Sequence, residues 1–168
     1  MRISSRRTVS LVKVSFLGLA TTSLLALGTT APASAASGIT WRNGLYNHDY
    51  FLQSDGYEAQ PSLAYAGNSA ESFWTDIENS DGTWNEVDWA GYCLTGYGRT
   101  VETMPCNSAK DATDGHMRWR EINMGSGNGW KLQNVLSGYY LDWTGTSPDS
   151  GTVYLHDGDA GNANERWY

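Results

Sequence analysis

The sequence is short of positive charge, of cysteine and of long apolar runs, and each shortage closes off a class of function. Eleven Lys and Arg face 18 Asp and Glu over 168 residues. Four of the basic residues, Arg2, Arg6, Arg7 and Lys13, stand at the extreme N-terminus. The rest of the chain therefore carries seven cations, a net charge of −11. Phosphate-rich partners need a basic surface, so nucleic acid is not an expected partner. Only two cysteines are present, Cys93 and Cys106. Cys-rich metal frameworks are excluded, and no Gly-x-Ser-x-Gly elbow or His-Glu-x-x-His helix is written anywhere. The one apolar stretch, near the start, is broken by Thr21, Thr22 and Ser23, which makes it a poor membrane span.

That stretch reads as an export signal over residues 1–35. A basic head precedes a mostly apolar run, and Ala33-Ser34-Ala35 supplies small residues for cleavage after Ala35 or Ala36. "SRRTVS" is either an ordinary basic head or a twin-arginine variant; both routes lead out of the cytoplasm. The expectation is a secreted, extracellular protein. The remaining residues, 36–168, are enough for one domain and too few for two. In an exported chain two cysteines read most simply as one disulfide, contributing about 3 kcal/mol by loop entropy.

What the chain has in abundance is tryptophan, eight in all, and their placement is periodic. Trp41, Trp84 and Trp130 each precede a leucine, Leu52, Leu94 and Leu141, by ten or eleven residues. Each leucine is followed by a closing tryptophan, Trp74, Trp119 and Trp167. Openings lie 43 and 46 residues apart and closings 45 and 48. Three units result, about 38–80, 81–125 and 126–168. Each reads as short strands bounded by Gly, Asn, Asp and Ser, as in "GWKLQN", "YYLDW", "TVYLH" and "ERWY" of the third. No long helical pattern is present. One such unit cannot bury its own apolar face, but three closing about an axis can, which also removes exposed sheet edges. The repeated Trp and Leu positions are then mainly core.

The three-unit period, the Leu-Asp step at Leu141-Asp142 and the closing tryptophans resemble the ricin-B-type lectins and related carbohydrate-binding modules, among them small secreted actinomycete lectins. The resemblance covers residues 38–168. Their closing Gln-x-Trp is not met: this chain has Glu165-Arg166-Trp167, Met117-Arg118-Trp119 and Ser72-Phe73-Trp74. The resemblance implies an all-β, pseudo-threefold β-trefoil with one potential sugar pocket per unit. It also implies a Cys93–Cys106 bridge within the second unit.

Carried onto the third unit, the family's pattern makes Asp142 the acceptor for sugar hydroxyls and Tyr154 or His156 the platform for the ring. Asn164 becomes the amide, beside Glu165. A carboxylate accepts two hydroxyls well, and a flat side chain seats the apolar face of a pyranose. A carboxylate turned inward, with its oxygens already occupied, would end the case for Asp142 as that acceptor. Taken singly, these are also ordinary turn and strand residues. Trp143 is either a second stacking surface or core. The first unit offers a weaker pocket, Gln53, Asp55 and Tyr65, and the second offers Thr95 with no aromatic platform.

His48 and His116 read as solvated loop residues. Asp76, Glu78, Asp81, Glu86 and Asp88 read as a solvated, charge-rich junction rather than as the two facing carboxylates of a glycoside hydrolase. The expectation is a non-catalytic, cofactor-free and metal-free binder of galactose-, xylan- or mannan-type glycans. The alternative is a secreted protein-binding module, an inhibitor or adaptor, with decayed sugar positions and a secreted protein as partner.

Overall fold

Eleven strands of four to six residues carry the described part of the chain. The computed structural model describes residues 35–45, 49–65, 69–106, 115–146 and 150–168. Residues 1–34 of the expected export signal, and His48, lie outside them. In order, the strands are β1 Ala35–Ile39, β2 Tyr50–Gln53, β3 Ser62–Tyr65, β4 Trp74–Glu78, β5 Trp84–Asp88, β6 Tyr92–Tyr97, β7 Thr100–Pro105, β8 Trp119–Asn123, β9 Trp130–Asn134, β10 Tyr140–Trp143 and β11 Val153–His156. Single 3-10 turns occupy Ala70–Ser72 and Ala163–Glu165. None of the described helices is long and apolar enough to cross a membrane. The strand expectations for the third unit hold at β9, β10 and β11. "ERWY" differs: its Glu165 ends the second 3-10 turn, and the segment pairs only as isolated bridges at Trp167.

The strands close into a ring. β1 pairs with β4, β4 with β5, β5 with β8 and β8 with β9, all antiparallel. Trp130 at the head of β9 bridges Trp167, and Trp167 bridges Asn43, which continues the chain beyond β1. No edge is left in this path. Three hairpins, β2–β3, β6–β7 and β10–β11, stand off it, one per unit. Asp81-Gly82 turns β4 into β5 with Gly82 at φ 76°, a conformation that costs little only without a Cβ.

One hydrogen bond repeats in every unit. Trp74 Nε1 donates to the Leu52 carbonyl at 3.1 Å, Trp119 to Leu94 at 2.9 Å, and Trp167 to Leu141 at 3.1 Å. All six side chains are buried. The period therefore reflects a physical unit: a closing indole that fills the core while its N–H satisfies a backbone carbonyl otherwise stranded there. Truncating such an indole to alanine costs about 3–5 kcal/mol. Among the openings only Trp41 is fully buried, and Trp84 and Trp130 are half-buried. Trp143 is core. Cys93 and Cys106 form a disulfide with Cα atoms 5.1 Å apart, pinning the end of the second unit's hairpin.

Two expectations fail. The charge-rich junction is not solvated: Asp76, Glu86 and Asp88 are all buried, with Asp81 exposed and Glu78 half-buried. β4 and β5 alternate, so the carboxylates two residues from Trp74 and Trp84 follow those indoles inward. Asp88 is satisfied there, accepting from the Ala90 and Tyr92 amides and from the Ser54 hydroxyl. His116 is likewise not a solvated loop residue. It is half-buried, its Nδ1 lies 2.8 Å from the Gly96 carbonyl, and its ring packs on Tyr97 at 4.5 Å.

Candidate binding site

The β10–β11 register decides which side chains meet. Asp142 lies opposite Tyr154 and Tyr140 opposite His156, so these four share one face. Leu141, Leu155, Trp143 and Val153 take the other face and enter the core. The 3-10 turn at Ala163–Glu165 packs over β10, and its cap residue Asn162 and its last residue Glu165 close the cluster.

Asp142 is only 1% exposed. Its Oδ1 accepts the Trp143 amide at 2.6 Å, and its Oδ2 accepts the Tyr154 hydroxyl and the Asn162 side-chain amide, each at 3.0 Å. The carboxylate faces inward and both oxygens are engaged, unlike the free acceptor expected from the sequence. Burial holds its carboxyl above the usual range, against the opposing pull of the Trp143 N–H and the Tyr154 hydroxyl. Burial, joined by the Asp142 charge, pushes the Tyr154 phenol up to about 12. Tyr154 therefore remains a hydroxyl donor at any ordinary pH.

Glu165, at the position of the missing glutamine, is fully buried and fully used. Lys131 of β9 forms a buried ion pair with its Oε2 and donates to the Asp159 carbonyl at 2.8 Å. The Asp159 amide and His156 Nδ1 each lie 3.1 Å from Oε1. An acceptor facing Nδ1 places the imidazole proton there, which leaves Nε2 as the ring's outward nitrogen. His156 keeps 35% of its side chain exposed, and its ring lies 5.9 Å from that of Tyr154 at 51°. Beside the cluster is a cavity of about 330 Å³, with Lys131, Tyr140 and Asp159 among its walls.

The third unit thus brings together Asp142, Tyr154, His156 and Glu165. It does not bring Asn164 into contact with Asp142: the Asn164 amide turns back to the Trp143 carbonyl at 2.7 Å. The amide at the carboxylate is Asn162. Of the two asparagines in "GNANE", only the cap position reaches the Asp142 carboxylate; the other bonds the hairpin backbone. Lys131 was also missed; a lone cation inside the otherwise uncharged "WKLQN" was its signal. Asp142, His156 and Glu165 offer ligand atoms within 4.8 Å of one another, enough to hold a cation. Hydrogen bonds from within the chain already engage these atoms.

The other units are poorer. In the first, Gln53 pairs with Ser62, not with an aromatic residue, and its amide donates to Ser69 at 3.2 Å. Tyr65 pairs with Tyr50 and, three residues from Ser62, takes the opposite face from Gln53. Asp55 is exposed in the following loop. The structure does not gather Gln53, Asp55 and Tyr65 into one pocket. In the second, Thr95 is buried and bonded to the Cys93 carbonyl at 2.8 Å, opposite Glu102.

Among solved structures, the chain is similar to the designed 3-fold symmetric protein ThreeFoil. The match has TM-score 0.62 and 19% identity, covering 76% of this chain and 94% of that one. The fold is a β-trefoil. This trefoil is also similar to the Polyporus squamosus lectin bound to a human-type influenza-binding epitope, with TM-score 0.61 and 14% identity over 79% of this chain and 48% of the lectin. A third match is SeviL bound to asialo-GM1 saccharide, with TM-score 0.57 and 14% identity over 79% of this chain and 95% of that one. No protein-family profile matches the sequence, and no curated protein matches it.

Proposed function

We propose that this trefoil is an exported, non-catalytic carbohydrate-binding protein whose principal pocket lies in the third unit. The observation that carries the reading is the half-exposed pair Tyr154 and His156, held from beneath by two buried carboxylates. Asp142 fixes the Tyr154 hydroxyl and the Asn162 amide. Glu165 fixes His156 and turns Nε2 outward. A sugar ring rests on these two flat groups and exchanges hydrogen bonds with the Tyr154 hydroxyl, Asn162 and Nε2. Asp142 then orients the site rather than gripping the sugar. Similarity to trefoil lectins solved with saccharides supports the substrate class. Burial supports the non-catalytic part of the reading at this pocket. Hydrolysis needs two carboxyl groups flanking an open cleft, and Asp142 and Glu165 are both enclosed and hydrogen-bonded. One shallow pocket binds weakly, so strong attachment needs several copies on one glycan surface.

A glycan array probed with the wild type, His156→Ala and Asp142→Ala tests this reading. A specific signal lost in His156→Ala and weakened in Asp142→Ala is the expected result. A second reading, a protein-binding module for a secreted partner, is favoured by the occupied oxygens of Asp142 and by exposed aromatics elsewhere, Tyr57 at 53% and Trp89 at 54%. No glycan signal from any form, with one protein captured stoichiometrically, would replace the first reading by the second.

A further inference from the structure

Three carboxylates inside the barrel lack what the third-unit cluster has. Asp76 on β4, Glu86 on β5 and Glu121 on β8 each stand two residues after a repeat tryptophan, Trp74, Trp84 and Trp119. Strand alternation sends each to the same side as its indole. The matching positions of the other strands hold Asn43 and Leu132, both fully buried. Glu86 has no exposure and Asp76 has 5%. Their acidic ligand atoms lie within 4.8 Å of one another.

We propose that Asp76, Glu86 and Glu121 form a Ca2+ site that ties the first two repeats together within the barrel. The second observation, beyond the clustering of acids, is orphaned oxygen. Asp76 Oδ1, Glu86 Oε1 and Glu121 Oε1 are buried with no hydrogen-bond partner. The described residues supply one donor, the Trp41 indole N–H to Glu86 Oε2 at 3.0 Å. Among those residues, the lysine, arginine and histidine ion pairs are all formed with other acids. Glu78, the other charge felt by Glu121, is also acidic. A buried carboxylate oxygen without a partner is strongly disfavoured, so three together call for a positive centre.

A proton shared between two carboxyls joins one pair of oxygens, so joining the three takes two protons. One cation meets all three. Ca2+ holds oxygens at about 2.3–2.6 Å, so ligands on opposite sides of it are up to about 5 Å apart. Mg2+ demands shorter, near-octahedral bonds, and an all-carboxylate set lacks the softer ligands that select zinc or copper. Glu121 is half-buried, which gives the ion its way in. Without the ion, burial and the Asp76 charge hold the Glu121 carboxyl up to about 7, and burial pushes Glu86 well above the usual range. Ca2+ displaces those protons as it enters. Asp142, His156 and Glu165 make the contrast, because their polar atoms are already paired within the chain.

The Trp41–Glu86 bond makes the site self-reporting. Tb3+ in the place of Ca2+ lies beside an indole, so tryptophan excitation of chelator-treated protein yields sensitised terbium emission. Added Ca2+ quenches that emission by competition and raises the melting temperature, and Mg2+ does so less. Glu86→Gln and Glu121→Gln each lower the affinity at least about tenfold, since ligand charge sets it. Near-UV circular dichroism confirms that each variant is folded. Asp142→Ala keeps the full signal, which separates this site from the proposed sugar pocket. Absence of both emission and a Ca2+-dependent melting shift in the wild type would overturn the proposal. So would emission that survives both glutamine variants.

Discussion

The hydroxyl of Tyr154 donates to Oδ2 of Asp142 at 3.0 Å across the β10–β11 hairpin, so a side chain of the opposing strand already holds the third unit's carboxylate. This bond and the burial around it set a pH dependence. The folded-state pKa of Asp142 is raised, with burial the largest cause. Its contribution to stability is therefore fully present below the unfolded value, about 3.9, and is lost as pH rises through the folded value. Asp142→Asn removes that titration. Urea unfolding at successive pH values, in wild type and variant, should show a steeper decline for the wild type just above the ordinary carboxylate range. Parallel curves would refute the assignment.

Gly158 approaches the same face. A Cβ there would lie 2.6 Å from the Tyr140 ring, and φ is 95°. Gly158→Ala should cost about 1–3 kcal/mol from crowding, in addition to the penalty for positive φ. Gly56 has a similar φ of 99° but open space around it. Gly56→Ala carries the backbone penalty alone, so the difference between the two variants isolates the contact with Tyr140. Lys131 Nζ sits 5.0 Å from the Tyr140 ring centroid, so a displaced ring also disturbs the Lys131–Glu165 pair. Glycan affinity should fall in Gly158→Ala and hold in Gly56→Ala.

The threefold architecture was legible because its markers are large and chemically distinct. The closing tryptophans and their leucines are core, and Trp119 and Leu94 meet as Trp167 and Leu141 do, whereas the opening Trp84 and Trp130 are half-buried. Membership of the third-unit cluster was legible for Tyr154, His156 and Glu165. The role of Asp142 was not, since a sequence shows an acceptor without showing its donors. Nor was the choice of Asn162 over Asn164, because the direction of each amide is set by the 3-10 turn. Asp76 and Glu86 misled for another reason. Charged residues near Asp-Gly look solvated, and only the alternation from Trp74 and Trp84 turns them inward.

The disulfide should be structural and local. Cys93 and Cys106, 13 residues apart, close a loop within the second unit. Their double replacement by serine should cost about 3 kcal/mol. Because the third-unit cluster shares no residue with that loop, glycan binding by the folded variant should match the wild type. A loss of binding below the unfolding transition would show that the second unit supports the site more directly.

One substitution made at two buried tryptophans separates packing from hydrogen bonding. Trp167 and Trp143 are 0% and 2% exposed, so Phe in place of either removes similar apolar surface. The Trp167 N–H satisfies the Leu141 carbonyl at 3.1 Å. Trp143 Nε1 is buried with no partner. Trp167→Phe therefore strands a carbonyl in the core, a penalty of about 1–3 kcal/mol beyond lost packing. Trp143→Phe removes an orphan donor and recovers part of its packing loss. Urea unfolding should place Trp167→Phe below Trp143→Phe in stability by at least about 1 kcal/mol. Trp119→Phe, whose indole makes the same bond to Leu94, should fall with Trp167→Phe. Equal losses at positions 143 and 167 would mean that the repeated indole–carbonyl bond contributes nothing net and that shape alone selects the closing tryptophans.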